Sequence, residues 1–287
     1  KVRILRVVGK NESGNAAYSS VNADTEYNTP GHDAFQRQHI GLSWGIVHFT
    51  QRSGMLGQVL KKAKERELAL LPPISPEGNL PVEHRFENLF GEYWQLLLNT
   101  TDPEFTANPD DRLAPVGEEL LWQEPWLTRF RNAGSVPYIQ SAQNEVAVIE
   151  YVNKIQRIAN WLDIRTARGL AMLLDRVIHS GMGAGLSWIM ASIEPIRNEN
   201  DRRIALQAVT GNPDDLMSFQ QQQGIKANGE WNAITHAALI GALRGLGEQS
   251  PIAIPDADDL LRRLLMAAQG TDFENRLQAL YNDTENF

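Results

Sequence analysis

The sequence predicts a mainly α-helical protein with a small β element near its N-terminus. From about residue 139 onward, apolar residues recur at the three- and four-residue spacings of helix faces. The run 42–50 is instead rich in β-branched and aromatic residues, which favours a strand. At 287 residues and 42% hydrophobic composition, the chain suffices for one large globular domain or two modest ones.

The first elements follow from local patterns. Residues 2–14 predict an amphipathic helix with Ile4, Val7 and Val8 on one face and Gly14 as its stop signal. A polar, glycine-containing stretch to about residue 41 predicts loops and a short irregular hairpin. The run 42–50 is compatible with a strand or with the start of a buried helix, because short apolar runs are ambiguous.

The rest of the chain predicts helices separated by loops. We expect helices near 55–71, 84–99, 116–132, 141–161 and 164–179, with Leu56, Val59 and Leu60 facing inward in the first of them. Glycines at 181–185 break the pattern before a further helix that carries Trp188. Helices then continue to the end, interrupted at 211–213, 224–229 and 248–255.

Charge and composition limit the classes of partner. The net charge is −8, which argues against nucleic acid as the main partner. Residues 1–66 hold ten Lys or Arg and five Asp or Glu, so this segment carries +5 and the remainder −13. A basic segment suits a polyanionic substrate better than a cationic one. Because cysteine is absent, disulfides and thiolate chemistry are excluded. The sequence contains no run of 18 apolar residues, so it does not predict a membrane-spanning helix. The chain begins at Lys1, and we expect it to be part of a longer protein.

Glu12 is the strongest catalytic candidate. It falls in the last turn of the predicted first helix, where the helix dipole opposes negative charge. If apolar neighbours also shield this carboxyl group from water, its pKa should rise. A carboxylic acid that stays protonated near neutral pH is what a glycosidase needs to protonate the leaving oxygen. The alternative is an ordinary solvated glutamate.

Hydrolysis of a glycosidic bond also needs a second carboxylate across the sugar. Asp24, Glu26 and Asp33 are the candidates, and Asp24 is equally compatible with a turn that caps its own backbone. We predict that further polar side chains contact the substrate: Tyr18, Asn22, His39, Ser43, His48, Thr50 and Gln51.

Each of these residue types has a simpler alternative. Thr50 and Ser53 also suit the capping of a helix that starts near residue 54. A histidine is more often packed or solvated than functional. Trp122 and Trp126 suit either sugar stacking or the core. No cluster has metal-ligand spacing, so we predict neither a metal site nor a cofactor.

Several separated blocks of the chain carry a likeness to a known family. They are Glu12-Ser-Gly14, Tyr18, Val21-Asn22, Gly41-Leu-Ser-Trp-Gly-Ile-Val-His-Phe-Thr-Gln51, Ser53-Gly-Met-Leu56, Leu121-Trp-Gln-Glu-Pro-Trp126, Gln140-Ser-Ala-Gln143 and Arg168-Gly-Leu-Ala-Met-Leu-Leu-Asp-Arg176. Together they resemble the lysozyme-like superfamily, and most nearly its chitosanase-like murein hydrolases. The resemblance covers about residues 3–195.

This resemblance implies a lysozyme-like, two-lobed α+β fold for residues 1–200, with additional helices in 201–287. It implies that Glu12 is the general acid. Chitosanases of this kind place their second carboxylate near the position of Gln38, which is not acidic here. That departure moves the predicted base to Asp24 or Glu26 and weakens chitosan as the substrate.

A second likeness lies in the segment 216–239. Its Phe219-Gln220, Gly224, Asn228-Gly229, Trp231 and Thr235 positions are similar to half of a peptidoglycan-binding helical repeat. The alternative is a helix–turn–helix connection in which Gly224 and Gly229 are turn glycines. If the region of about 205–246 binds the cell wall, it would raise the effective concentration of the catalytic site on an insoluble polymer.

These resemblances imply a muramidase that cleaves the glycan strands of peptidoglycan. A chitosanase and a lytic transglycosylase are the enzymatic alternatives, and a non-catalytic cell-wall binding module is the alternative from another class. We expect a monomer that acts in the periplasm or cell wall, delivered as part of a larger secreted or phage-encoded protein. An antibacterial secretion effector, or toxin, would also have an immunity protein as partner.

Overall fold

The structure is a computed structural model that describes residues 1–13, 18–23, 39–71 and 80–283, with the side chains of residues 1–11 in the first range. It is mainly helical with one small antiparallel sheet, as the sequence predicts. The chain divides into two compact units, Lys1–Ile149 and Glu150–Phe287. These two units are defined by the contacts within each of them. The division into a catalytic domain, residues 1–200, and a C-terminal region, residues 201–287, stays a prediction.

The first unit opens with helix α1 (Val2–Ser13) and a three-stranded sheet. The strands are β1 (Val21–Asn22), β2 (Ser43–Trp44) and β3 (Phe49–Thr50), in that order across the sheet. Val21 pairs with Trp44, and Ser43 pairs with Thr50. The run 42–50 is therefore a tight β-hairpin, which corresponds to the strand alternative, broken in two by a turn.

Helices complete the first unit. They are α2 (Met55–Ala69), α3 (Phe86–Phe90), α4 (Trp94–Thr101), α5 (Trp126–Ala133) and α6 (Pro137–Ala147), with short 3-10 turns at Val82–His84 and Asp111–Leu113. Helix α2 packs against α6. Its residues Leu56, Val59 and Leu60 are fully buried, as the sequence predicts.

Two predicted helices of this unit are wrong in extent. The predicted helix 84–99 is two short helices, because Gly91 adopts a φ of 77° and ends α3. The predicted helix 116–132 begins only at Trp126, after Gly117 at a φ of 77° and after Pro125. Trp126 is fully buried and Trp122 is nearly so, which makes both of them core residues.

The second unit is helical throughout its described part. A π-helical turn (Val148–Val152) includes the last residues of the first unit and the first of the second. The second unit then holds α7 (Asn153–Trp161), α8 (Ala167–Ser180), α9 (Met182–Ile193), α10 (Glu199–Thr210), α11 (Leu216–Gln222), α12 (Ala233–Gly245), a 3-10 turn (Gly247–Gln249), α13 (Ala257–Ala268) and α14 (Glu274–Asn282). Gly181, at a φ of 78°, separates α8 from α9, whereas Gly183 and Gly185 lie within α9.

Buried charges tie α8 to α14 in this unit. The fully buried carboxylate of Asp175 accepts hydrogen bonds from Arg276 at 2.8 and 3.2 Å. The guanidinium of the neighbouring Arg176 lies over Phe273 at 3.6 Å and over Trp188 at 4.3 Å from the ring centroids. Burial lowers the pKa of Arg176, with Arg276 adding to this effect and Asp175 opposing it. The α8–α14 contact is thus both apolar and ionic.

Candidate active site and wall-binding segment

Glu12 lies in the last turn of α1, as predicted from the sequence. The inward face of this helix is formed by Ile4, Leu5 and Val8, whereas Val7 is only half-buried. The side chain of Glu12 lies outside the described part of the chain. Asp24, Glu26 and Asp33, the candidates for the second carboxylate, also lie outside the described residues, as does Gln38.

Gly9 places the last turn of α1 against the hairpin. A Cβ atom at this position would lie 2.6 Å from the carbonyl oxygen of Ile46 and 2.7 Å from its Cγ1. Only glycine therefore allows the helix backbone to approach the turn between β2 and β3 this closely. Glu12 follows three residues later in the same helix, so the close approach of Gly9 to Ile46 fixes the part of α1 that carries it.

We expect Gly9→Ala to lower the free energy of unfolding by about 1–2 kcal/mol, because the added methyl group must displace Ile46. This is the reverse of the usual gain of roughly 1 kcal/mol when alanine replaces glycine in a helix. Thermal melts followed by circular dichroism would measure it. Gly183→Ala is the matched control, since a Cβ there meets nothing within 4 Å. A Gly9→Ala chain as stable as the parent would contradict the close approach.

The turn of the hairpin is built from unusual backbone conformations. Gly45 has a φ of 84°, and His48, three residues later, has a φ of 51°. Positive φ is uncommon for a residue with a side chain, although histidine tolerates it better than most. The imidazole Nε2 of His48 lies 3.1 Å from the hydroxyl of Ser20, so the turn is tied to the segment that leads into β1.

Gln143 of α6 is the residue that fixes this turn, and the predicted site did not include it. Its side chain is fully buried. Its Oε1 accepts a hydrogen bond from the backbone N–H of Ile46 at 3.0 Å, and its Nε2 donates to the carbonyl of Tyr18 at 3.0 Å. One amide thus joins the hairpin turn to the approach to β1. The only sequence signal was its place in the block 140–143.

The predicted substrate residues of β1 and β2 differ in exposure. Asn22 is exposed, whereas Ser43, its partner on β2, is only 2% exposed. Tyr18 is half-buried and donates its hydroxyl proton to Asn144 Oδ1 at 3.0 Å. The structure therefore pairs Asn22 with Ser43 across the sheet, and Asn22 is the more open of the two to solvent.

The side chains of Thr50 and Gln51 make hydrogen bonds that connect the hairpin to neighbouring segments. Thr50 donates its hydroxyl proton to Ser53 Oγ at 2.7 Å, and Ser53 Oγ also accepts from the N–H of Met55 at the start of α2. Gln51 is fully buried; its Oε1 accepts from Leu42 N and its Nε2 donates to Arg112 O at 2.6 Å. Both ends of this amide thus bond to backbone.

His39 lies just before the β-hairpin in the chain. It packs edge-on against Trp122, with ring centroids 5.8 Å apart. Burial lowers the pKa of His39, an effect that the charge of Asp110 opposes and that of Arg52 reinforces. The neutral imidazole is therefore favoured near neutral pH. In this state His39 would contact a substrate through hydrogen bonds and not through a positive charge.

The segment 216–239 forms a helix–turn–helix in which a buried glutamine organises the connecting loop. Gln220 Oε1 accepts from the N–H groups of Asn228 and Gly229 at 3.0 and 2.9 Å. Its Nε2 donates to Glu230 O at 2.9 Å and to Thr235 Oγ1 at 3.1 Å. Gly229 is a turn glycine, at a φ of 70°. The polar positions of the motif therefore share one hydrogen-bond network.

The burial of His236, in this segment, should make the free energy of unfolding depend on pH. Burial lowers its pKa to about 4, and its ring packs on Trp231 at 5.2 Å. The unfolded chain binds a proton at this group near pH 6.5, so stability is present above that pH and is lost as the pH falls toward 4. We expect a loss of about 2 kcal/mol between pH 7 and pH 5 from this group.

Urea denaturation at the two pH values measures this effect. His236→Leu should reduce the pH dependence relative to the parent chain, whereas Met217→Leu, at an exposed position without a titratable group, should leave it unchanged. An equal pH dependence in His236→Leu and the parent would contradict the assignment.

Neither a metal-binding cluster nor a membrane-spanning helix is found among the described residues. Within the described ranges, no three His, Cys, Asp or Glu residues are grouped so as to hold a metal ion. In that same part of the chain, no helix combines the length and the apolar character that crossing a bilayer requires. Compared with models of protein families, with curated proteins and with solved structures, the chain matches none of them.

Proposed function

We propose that the chain is a glycoside hydrolase that cleaves the glycan strands of bacterial peptidoglycan, with Glu12 as the general acid. The observation that carries the proposal is the contact of Gly9 with Ile46, which holds the last turn of α1 against the β-hairpin. A glutamate in the last turn of a helix that packs on this hairpin could protonate a bound glycosidic oxygen.

The second half of the reaction falls to Asp24 or Glu26. Either carboxylate would activate water on the opposite face of the sugar, at about 6.5–9.5 Å from the acid in an inverting enzyme. Asn22 and His48 would hydrogen-bond sugar hydroxyls, since Asn22 is exposed on β1 and His48 is partly exposed in the turn between β2 and β3. The mechanism needs no cofactor.

The charge distribution supports peptidoglycan over chitosan as the substrate. The excess of five positive charges in residues 1–66 attracts a polymer that bears peptide carboxylates and repels a polycation. Such a substrate places the activity in the periplasm or the cell wall, and the chain would reach it within a larger delivered protein. An immunity protein is then an expected partner.

The product identifies the reaction. We expect digestion of purified sacculi to release reducing ends, with mass spectra that show hydrated muramic acid termini. Anhydromuramic termini would instead assign a lytic transglycosylase, and faster release from chitosan than from sacculi would assign a chitosanase. Absence of release from both polymers would overturn the hydrolase proposal.

The second candidate function is binding to the cell wall without turnover. The hydrogen-bond network of Gln220 favours it, because that network gives the 216–239 segment an ordered loop between two helices. Sedimentation of the chain with sacculi, without release of sugar, is the result expected for such a module.

A further inference from the structure

A cavity of about 340 Å³ lies within the second unit. Its walls come from α7, α9, the loop 224–232 and the start of α12. Its lining includes Arg157, Ile158, Trp161, Leu186, Lys226 and Ile234. Its volume is at the lower end of the range of small-ligand pockets.

The floor of this cavity is apolar. Ile158 and Leu186 are 3% and 2% exposed, so they present a packed surface that water covers little. Trp161 is half-buried, and the guanidinium of Arg157 lies 4.8 Å from the centroid of its ring. Ile234 stands at the mouth and is 40% exposed. A ligand with an apolar side chain would remove the exposed surface of Trp161 and Ile234 from water.

The cavity is held open by bonds within its walls. Arg157 Nη2 donates to the carbonyl of Gly224 at 3.1 Å and to that of Gln223, which ties α7 to the loop. The amide of Gln220 fixes the other end of the loop at Asn228. The side chain of Asn232 accepts from the N–H groups of Ile234 and Thr235 and so caps α12. A preformed pocket avoids the cost of ordering these groups on binding.

The charge at the cavity is positive. Of the described residues that line it, Lys154, Arg157 and Lys226 are cationic and none is acidic. Lys154 pairs with Glu150 at 2.6 Å. Arg157 bonds to carbonyl groups, and Lys226 is exposed and makes no ion pair within the described residues, so two positive charges are left uncompensated. This contrasts with the net charge of −8 for the whole chain.

We propose that this cavity binds the C-terminus of a short apolar peptide. The last side chains would lie on Ile158, Leu186 and Trp161, and the free α-carboxylate would meet Lys226 and Arg157. An apolar floor beside uncompensated cations is complementary to a ligand that ends in a carboxylate. A peptide fits better than a fatty acid, because the exposed mouth leaves a peptide backbone hydrated but would leave much of a long acyl chain in water.

Isothermal titration of the full chain with N-acetyl-Leu-Leu, its C-terminal amide and sodium octanoate tests this proposal. We expect the free acid to bind about tenfold more tightly than the amide, and more tightly than octanoate. Lys226→Glu should weaken binding of the free acid by about tenfold and leave the amide unchanged. Ile234→Ser should weaken both peptides. Arg262→Glu is the matched control, since Arg262 is exposed in the same unit, carries the same charge change and does not line the cavity.

Equal affinity for the free acid and the amide would overturn the role of the cations. Tighter binding of octanoate would assign the cavity to an acyl chain, and heat signals that persist equally in Lys226→Glu and Ile234→Ser would place the peptide elsewhere. Absence of binding by every probe at millimolar concentration would overturn the proposal. Since no arm measures sugar release, these outcomes are separate from the fate of the hydrolase proposal.

Discussion

Replacing Glu12 with Gln is expected to reduce the release of reducing ends from purified sacculi by about 100-fold or more. Glutamine keeps the shape of the side chain but cannot donate the proton that the leaving oxygen needs, and general acid catalysis contributes about 10²–10⁴-fold to such reactions. The rate of sugar release at saturating substrate measures this loss. Because the position lies in the last turn of α1, the parent and the variant should unfold at similar temperatures.

Control variants distinguish the loss of the general acid from the loss of any other carboxylate. Glu87→Gln, at an exposed position of α3, should retain the parent rate. If either Asp24→Asn or Glu26→Gln shows a loss comparable to that of Glu12→Gln, that residue is the second carboxylate. A Glu12→Gln chain that clears sacculi at the parent rate would show that the assignment of the proton donor is wrong.

Gln143→Leu is the second change with a large expected effect. Leucine removes the acceptor of the Ile46 N–H and the donor to the Tyr18 carbonyl, and an unpaired buried polar group costs about 1–3 kcal/mol. We expect the free energy of unfolding to fall by about 2–4 kcal/mol in total. The same change frees the turn that lies beside α1, so the rate on sacculi should fall further than the loss of folded protein explains.

Denaturant titration and a rate measured per folded molecule separate these two effects. Gln95→Leu is the matched control, because Gln95 is an exposed residue of a helix in the same unit and the same atoms are exchanged. Its stability should lie within about 0.5 kcal/mol of the parent. A Gln143→Leu chain that behaves like this control would contradict the role of the buried amide.

Much of the helical fold follows from local periodicity, and the site follows from it only in part. Helix α2 is correctly predicted because buried apolar residues recur at helical spacing from Leu56 to Ala63. Helix α1 is correctly predicted because its apolar residues recur at helical spacing. The same reasoning fails at Gly91 and Pro125, because the apolar pattern continues across these residues although the helix does not.

The hairpin shows why the rest of the site was not predictable. Its strands are two residues each, too short for an alternating pattern to be distinguished from a helical one. Its turn depends on Gln143, which lies about one hundred residues away in the sequence. Gln51 likewise appears in sequence as one more polar residue of an active-site run, and only the contact with Arg112 identifies its bonds to backbone.

The amide of Gln220 has a consequence for engineering the chain. Surface loops usually accept inserted residues, and fusion partners are commonly placed in them. The loop 223–231 is an exception, because Asn228, Gly229 and Glu230 all bond to one buried side chain, and an inserted residue would pull at least one of them away. An epitope tag or a fluorescent fusion is better inserted at Gly247 or Gly270, where the surrounding space is open.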